Sequence, residues 1–277
     1  MTNRTFPFLW TQRPAVTELG QLSPPIGRRT FQFWCAHPVA SVAALIAAVV
    51  VLCGLSAVAL DVPAARFFES SPLALKGTAA WITKLGLSGY MFAISVAIVA
   101  LCTVLLRKET RDGIRTALII LRERAVFVFA VLAASGIAAQ LLKHLVGRAR
   151  PKLMNTFGAF HFDLLSIKAS LASFPSGHAT SVFAAATALC FMLPRWRTPL
   201  LGLALVIAVS RAVVGAHYVS DVVAGAMLGV MSTLVVAWIF ANRSFAFERL
   251  PTAIRLRGRG LVLSGLMSMR SQTGPTP

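Results

Sequence analysis

Six stretches of the chain run without a single Asp, Glu, Lys or Arg: residues 38–60, 85–106, 125–142, 169–194, 198–210 and 222–242. A helix needs about 20 apolar residues to cross a hydrocarbon core of ~30 Å. The fifth run is short, but it reaches about Gly215 if Arg211 faces protein rather than lipid. The pattern predicts an all-α, polytopic membrane protein with six transmembrane helices. An even number of crossings puts both termini on one side.

Three segments follow from this: a cytoplasmic N-terminal segment over 1–37, a six-helix membrane domain over 38–242, and a basic cytoplasmic tail over 243–277. Pro14, Pro24, Pro25 and Gly27 make the first segment irregular. An Ala57-Val58-Ala59 triplet imitates a signal-peptidase site. The apolar run before it is longer than a signal peptide's, though, and about 37 residues precede that run, so an uncleaved helix is expected. Residues 261–269 form a weakly apolar stretch suited to the membrane surface.

Composition agrees with the pattern. Of 277 residues, 57% are hydrophobic and only 13% charged, against about 25% charged in soluble domains. This excludes a soluble globular fold, disorder and a collagen-like chain. The four cysteines, Cys35, Cys53, Cys102 and Cys190, are scattered without a CxxC pair, so neither a disulfide framework nor a zinc site is indicated.

The net charge of +18 would suggest nucleic acid in a soluble protein. Here it has an interfacial origin, and no nucleic-acid partner is expected. Arg4, Arg13, Arg28, Arg29, the basic residues from Arg107 to Arg124, Arg195, Arg197 and the arginines from Arg243 to Arg270 all fall on the terminal side. Basic residues mark the cytoplasmic face, so both termini are expected in the cytoplasm. The preference for arginine over lysine and the abundant alanine fit a bacterium with a GC-rich genome. In such a cell the chain would lie in the inner membrane, with its opposite face in the periplasm.

On that opposite face the apolar pattern is broken in three places by residues that carry chemistry. KHLVGRARP occupies 143–151, PSGH occupies 175–178, and SRAVVGAHYVSD occupies 210–221. Charges beside apolar spans are costly, about 2.5–3.5 kcal/mol each at a helix centre on insertion scales. Lys143 and Arg150 are seven residues apart, two helical turns, which predicts one shared face up to Pro151. His217 and Asp221 are four apart and would meet on a helix. Ser176-Gly177-His178 opens a helix, where free N–H groups and the positive dipole end attract anions. Three cations, a helix N-terminus and two histidines, one with a carboxylate partner, describe a phosphate site with its own nucleophile. Arg148 and Lys152 flank the first block and are read as steering charges, and His144 as structural.

These three blocks, KxxxxxxRP, PSGH and SRxxxxxHxxxD, resemble the signatures of the type 2 phosphatidic acid phosphatase (PAP2) superfamily, in its order. The resemblance covers helices three to six and implies a six-helix bundle with an outward-facing site. It further implies that Lys143, Arg150, Arg211, Ser176 and the Gly177 amide hold the phosphate, and that Asp221 orients His217. By the same resemblance His217 attacks phosphorus to give a phosphohistidine, while His178 protonates the leaving oxygen and later activates water. No metal and no cofactor are implied, because the three cations fill the place magnesium often takes.

The expected function is a membrane lipid-phosphate phosphatase. Phosphatidic acid, phosphatidylglycerol phosphate, undecaprenyl pyrophosphate and lipid A 1-phosphate all remain open as substrates. A phosphotransferase to another lipid or sugar is the alternative, and a non-enzymatic lipid-binding or transport protein a third reading. Partners are the bilayer and the lipid phosphate; protein partners are not readable.

Overall fold

The computed structural model describes residues 38–250 and 253–256. The expectations for segment 1–37, for Cys35 and for the stretch 261–269 lie outside the described residues. Within them, α1 (Pro38–Ser56) widens into a π turn over Ala57–Asp61 and continues as α2 (Val62–Glu69). Pro63 explains the turn, because it has no N–H for the carbonyl four residues back. Then follow α3 (Leu73–Lys84), α4 (Ser88–Lys108) and the long α5 (Asp112–Val146). After an irregular strap come α6 (Met154–Phe157), α7 (Gly177–Met192), α8 (Arg197–Val213) and α9 (Val219–Asn242). A short antiparallel hairpin, β1 (Phe247–Leu250) and β2 (Ala253–Leu256), closes the described chain.

Among the described residues, five helical stretches are long and apolar enough to cross a membrane: Ile46–Glu69, Leu73–Lys108, Asp112–Val146, Pro194–Val213 and Val219–Asn242. The sixth, Gly177–Met192, is shorter. The expected fourth crossing at 169–194 is therefore corrected: it is helical only from Gly177, and the chain before it is a 3-10 turn and a loop. Non-helical backbone is tolerated at membrane depth only where protein covers it, and α7 is the central helix of the bundle. Its Ala179, Thr180, Val182, Ala184, Ala186 and Ala188 are all buried. The outer helices instead turn large apolar side chains outward, among them Val58, Leu101, Ile137 and Val235. In water such a surface would aggregate; in lipid it is solvated. The protein is an integral membrane helix bundle.

Small residues let α7 and α9 approach closely, as glycines spaced four apart do in membrane helices. A Cβ on Gly225 would overlap the Ser176 carbonyl, and one on Gly229 would overlap the Thr180 carbonyl and approach the Ala184 nitrogen to 2.8 Å. These obstacles are backbone atoms and cannot rotate away. Gly229→Ala is therefore expected to cost about 1–3 kcal/mol, seen as a lower thermal midpoint in detergent. An unchanged midpoint would mean that the helices part without penalty.

The chain direction alternates along the bundle, so the C-terminal ends of α5 and α8 and the N-terminal ends of α4, α7 and α9 share one end. The π turn and α2 reach the same end, as contacts from Asp61 to α9 show. All three sequence blocks lie there.

Candidate active site

The first block leaves its helix earlier than its spacing suggested. Helix α5 ends at Val146 and Gly147 takes a left-handed conformation, φ 59°, with its N–H donating to the Lys143 carbonyl at 3.0 Å. Lys143 is thus on the helix while Arg150 is on the strap beyond it, so the shared helix face is corrected. What carries Arg150 back is backbone pairing of the strap with the chain before α7. Ala149 N–H donates to the His161 carbonyl at 3.0 Å, Ser173 N–H to that of Arg148 at 3.0 Å, and Arg150 N–H to that of Ser170 at 3.1 Å. The Arg150 Nε donates to the Ala169 carbonyl at 2.9 Å, which fixes its side chain.

The second block forms the N-terminus of α7. Ser176 is buried, and its Oγ accepts the Ala179 N–H at 3.5 Å as the helix cap. A Cβ built on Gly177 would lie 3.2 Å from Lys143 Nζ, so the ammonium stands over the start of the helix. His178 is half-buried and faces the turn between α3 and α4, where a Cβ on Gly86 would meet its Cδ2 at 2.9 Å.

The third block brings Arg211, His217 and Asp221 to the same place. Arg211, on the last turn of α8, donates from Nη1 to Thr83 Oγ1 at 3.1 Å, while its buried Nε has no partner. A buried donor without an acceptor is costly, and an anion would satisfy it. The inward orientation of Arg211 is the condition under which the fifth crossing was expected to extend.

His217 and Asp221 do not meet along a helix. Helix α9 begins only at Val219, and Asp221 uses Oδ2 to accept the Tyr218 N–H at 2.9 Å and the Ser173 hydroxyl at 2.6 Å. His217 Nδ1 lies 3.8 Å from that carboxylate and 2.7 Å from the Ser173 carbonyl. A carbonyl only accepts, so Nδ1 carries the proton and the Nε2 lone pair is free. Ser173 is therefore the residue that orients His217, with Asp221 behind it. Burial holds the imidazole below the ordinary histidine range although Asp221 opposes the shift, which favours the uncharged ring at neutral pH. Arg211 and Arg150 act on it in the same direction as burial.

Sequence reasoning misread Arg148. It is 2% exposed and cannot steer a ligand; it pairs with Asp221 and with Asp61 from the π turn, each at 2.7 Å. Neither Asp61, Thr83 nor Ser173 was visible as a site residue. The one sequence signal was a carboxylate at the edge of an apolar run, directly before Val62-Pro63. Lys152 is exposed, and His144 is structural as expected, its Nδ1 3.1 Å from the Ser166 carbonyl. Among the described residues no cluster of His, Cys, Asp or Glu is arranged to hold a metal ion.

The comparisons with known proteins point to the same blocks. The PAP2 superfamily model matches residues 124–245. A lipid A 1-phosphatase of Rhizobium etli is 38% identical over 125 residues, 45% of this chain and 54% of that protein. One of Rhizobium johnstonii is 38% identical over 125 residues, 45% of this chain and 51% of that protein. The chain thus spans about half the length of the curated relatives it matches. The crystal structure of a transmembrane PAP2-type phosphatidylglycerolphosphate phosphatase from Bacillus subtilis superposes with a TM-score of 0.50 at 19% identity, covering 72% of this chain and 96% of that one. That likeness speaks to the fold. Lys143, Arg150, His178, Arg211, His217 and Asp221 all fall inside the stretch, 124–245, that matches the PAP2 superfamily.

Proposed function

We propose that the protein is a lipid-phosphate phosphatase that works through a phosphohistidine at the outer membrane face. The observation that carries this reading is the convergence of Lys143, Arg150, Arg211 with its unpartnered Nε, and the α7 N-terminus around His178 and His217. Phosphoryl transfer asks for in-line positioning and charge stabilisation, and these groups supply both. The arginines suit the phosphate oxygens by planar donation. The His217 Nε2 lone pair forms the N–P bond as the P–O bond to the lipid breaks, and His178 gives the leaving oxygen a proton. Water then attacks phosphorus while His178 takes its proton, and release of phosphate restores the neutral imidazole.

A lipid substrate is supported by the rim. Phe157, Phe160, Leu164, Leu165 and Ile167 of the chain between Pro151 and α7 are exposed at the site end, with Lys152 and Lys168 beside them. Such a rim belongs at the headgroup level, where a lipid keeps its tails in the bilayer and presents its phosphate. Because the two relatives are lipid A 1-phosphatases, lipid A 1-phosphate is the first substrate to try. Phosphatidic acid, phosphatidylglycerol phosphate and undecaprenyl pyrophosphate complete the panel. Purified protein in detergent with EDTA is expected to release phosphate from at least one of them. No release in water but a labelled acceptor lipid would make the protein a transferase, and neither would overturn the reading.

The periplasmic orientation rests on the distribution of Lys and Arg between the two faces. A single reporter cysteine at Asn155, placed in a chain cleared of its own cysteines, is expected to react with an impermeant maleimide from outside the inner membrane. Labelling only after lysis would reverse the assignment.

A further inference from the structure

The buried ion cluster behind His217 reaches beyond the family-matched stretch into the first helix. Asp61 is 0% exposed and accepts three bonds: from Arg148 Nη2 at 2.7 Å, from the Ser220 N–H at 2.9 Å and from the Ser220 hydroxyl at 2.6 Å. Arg148 in turn donates from Nη1 to Asp221 Oδ1 at 2.7 Å and to Ser220 Oγ at 2.7 Å, and its guanidinium lies 4.3 Å from the Tyr218 ring centroid. Asp221 holds the Ser173 hydroxyl, and the Ser173 carbonyl holds His217 Nδ1. The π turn over Ala57–Asp61 brings Asp61 to this cluster, and π turns in helices recur at functional sites.

The charges explain why a second carboxylate is needed. A guanidinium 2.7 Å from Asp221 opposes the field that carboxylate exerts on His217. Asp61 neutralises the guanidinium from its other side, so two carboxylates against one arginine leave one negative charge in excess behind the imidazole. We infer that Asp61 is a positioning residue for the reaction: through Arg148 and Asp221 it restores the negative potential that stabilises positive charge on His217 as the N–P bond forms. The inference rests on the phosphohistidine reading above. The other groups at the site are Arg211, Arg150, Lys143 and His178, whose positive charge is unfavourable to charge on His217, and the bordering side chains of α2, Ala64, Ala65 and Phe68, carry none.

The test compares wild type, Asp61→Asn and Asp61→Asn/Arg148→Gln in detergent, by kcat and KM for phosphate release and by NMR titration of histidine-labelled protein. Asp61→Asn keeps the shape and removes the charge. It is expected to lower kcat at least ~tenfold with KM within about threefold, and to move the His217 titration to lower pH, since loss of a nearby negative charge disfavours imidazolium. Removing Arg148 as well exposes His217 to Asp221 again and is expected to recover part of kcat. A merely structural Asp61 would make the double variant worse than the single one. An Asp61→Asn protein with wild-type kcat and titration, or a double variant below it, overturns the inference. If Asp61→Asn does not fold, Arg148→Gln against the double variant carries the same comparison, and an unchanged His217 titration overturns it. A wild type that releases no phosphate sinks the phosphatase reading, while the titration still decides the role of Asp61.

Discussion

His217→Ala is expected to lower phosphate release at least ~10⁴-fold, to the background of hydrolysis without enzyme nucleophile. The size of the loss follows from geometry. Nδ1 is committed to the Ser173 carbonyl, so Nε2 is the only ring atom able to reach phosphorus, and the three cations around it carry no lone pair to replace it. His178→Ala is expected to lose less, about 10²–10⁴-fold, the range of a general acid–base. The two variants separate further on trapping. Brief reaction with radiolabelled lipid, quenched in alkali, is expected to leave label on wild type and none on His217→Ala. Equal release by wild type and His217→Ala would refute the mechanism, provided both proteins show the same thermal midpoint.

Gly147→Ala is expected to be the most destabilising single methyl at the site. Two penalties fall on one residue. Its backbone is left-handed at φ 59°, which costs an L residue roughly 1–2 kcal/mol. The added Cβ would also overlap the Asp163 carbonyl, whose own N–H donates to the Gly147 carbonyl at 2.9 Å. Relief requires the strap from Arg148 to Pro151 to part from the chain before α7. The combined cost is about 3 kcal/mol or more, which for a chain of this size lowers the thermal midpoint by roughly 6–12 °C. Activity should fall further than stability, because Arg148 and Arg150 move with the strap. Gly158→Ala is the control for the clash: φ 79° with ψ 175° is also a region that only glycine adopts readily, at a cost of about 1–3 kcal/mol, but nothing lies within 4 Å of the new Cβ. It should show the backbone penalty alone and keep its activity. Equal behaviour of the two variants would mean that the strap is not fixed at Gly147.

Much of this protein is legible in one dimension because a membrane is a simple solvent. Lipid demands long apolar helices and satisfied backbone groups, so six runs without charge translate into helices with little interference from tertiary context. The places where the reading slips are those where protein replaces lipid as the surroundings. Residues 169–176 belong to an uncharged run, yet they form a 3-10 turn and a loop before α7, where Leu171, Ser173, Pro175 and Ser176 are buried by protein and Pro175 breaks any helix. The residues that gather at the candidate site were equally open to sequence reasoning, because three cations and two histidines beside apolar runs are costly in a membrane and have few other reasons to exist.

Which groups hold those residues in place was another matter. Spacing suggested that Lys143 with Arg150, and His217 with Asp221, share helix faces. Instead a left-handed glycine and backbone pairing bring the first pair together, and the Ser173 carbonyl orients the histidine. Arg148 read as a steering charge and is a buried hub; Asp61, one residue past the first apolar run, reaches that hub from 87 residues away along the chain. By itself the sequence determined the solvent, the class of architecture and which residue types break the apolar pattern at one end of the bundle, because hydropathy and charge act residue by residue. The orientation of His217, the turn at Gly147 and the Asp61–Arg148–Asp221 cluster were decided only in three dimensions, because each depends on atoms that the chain brings together from distant positions.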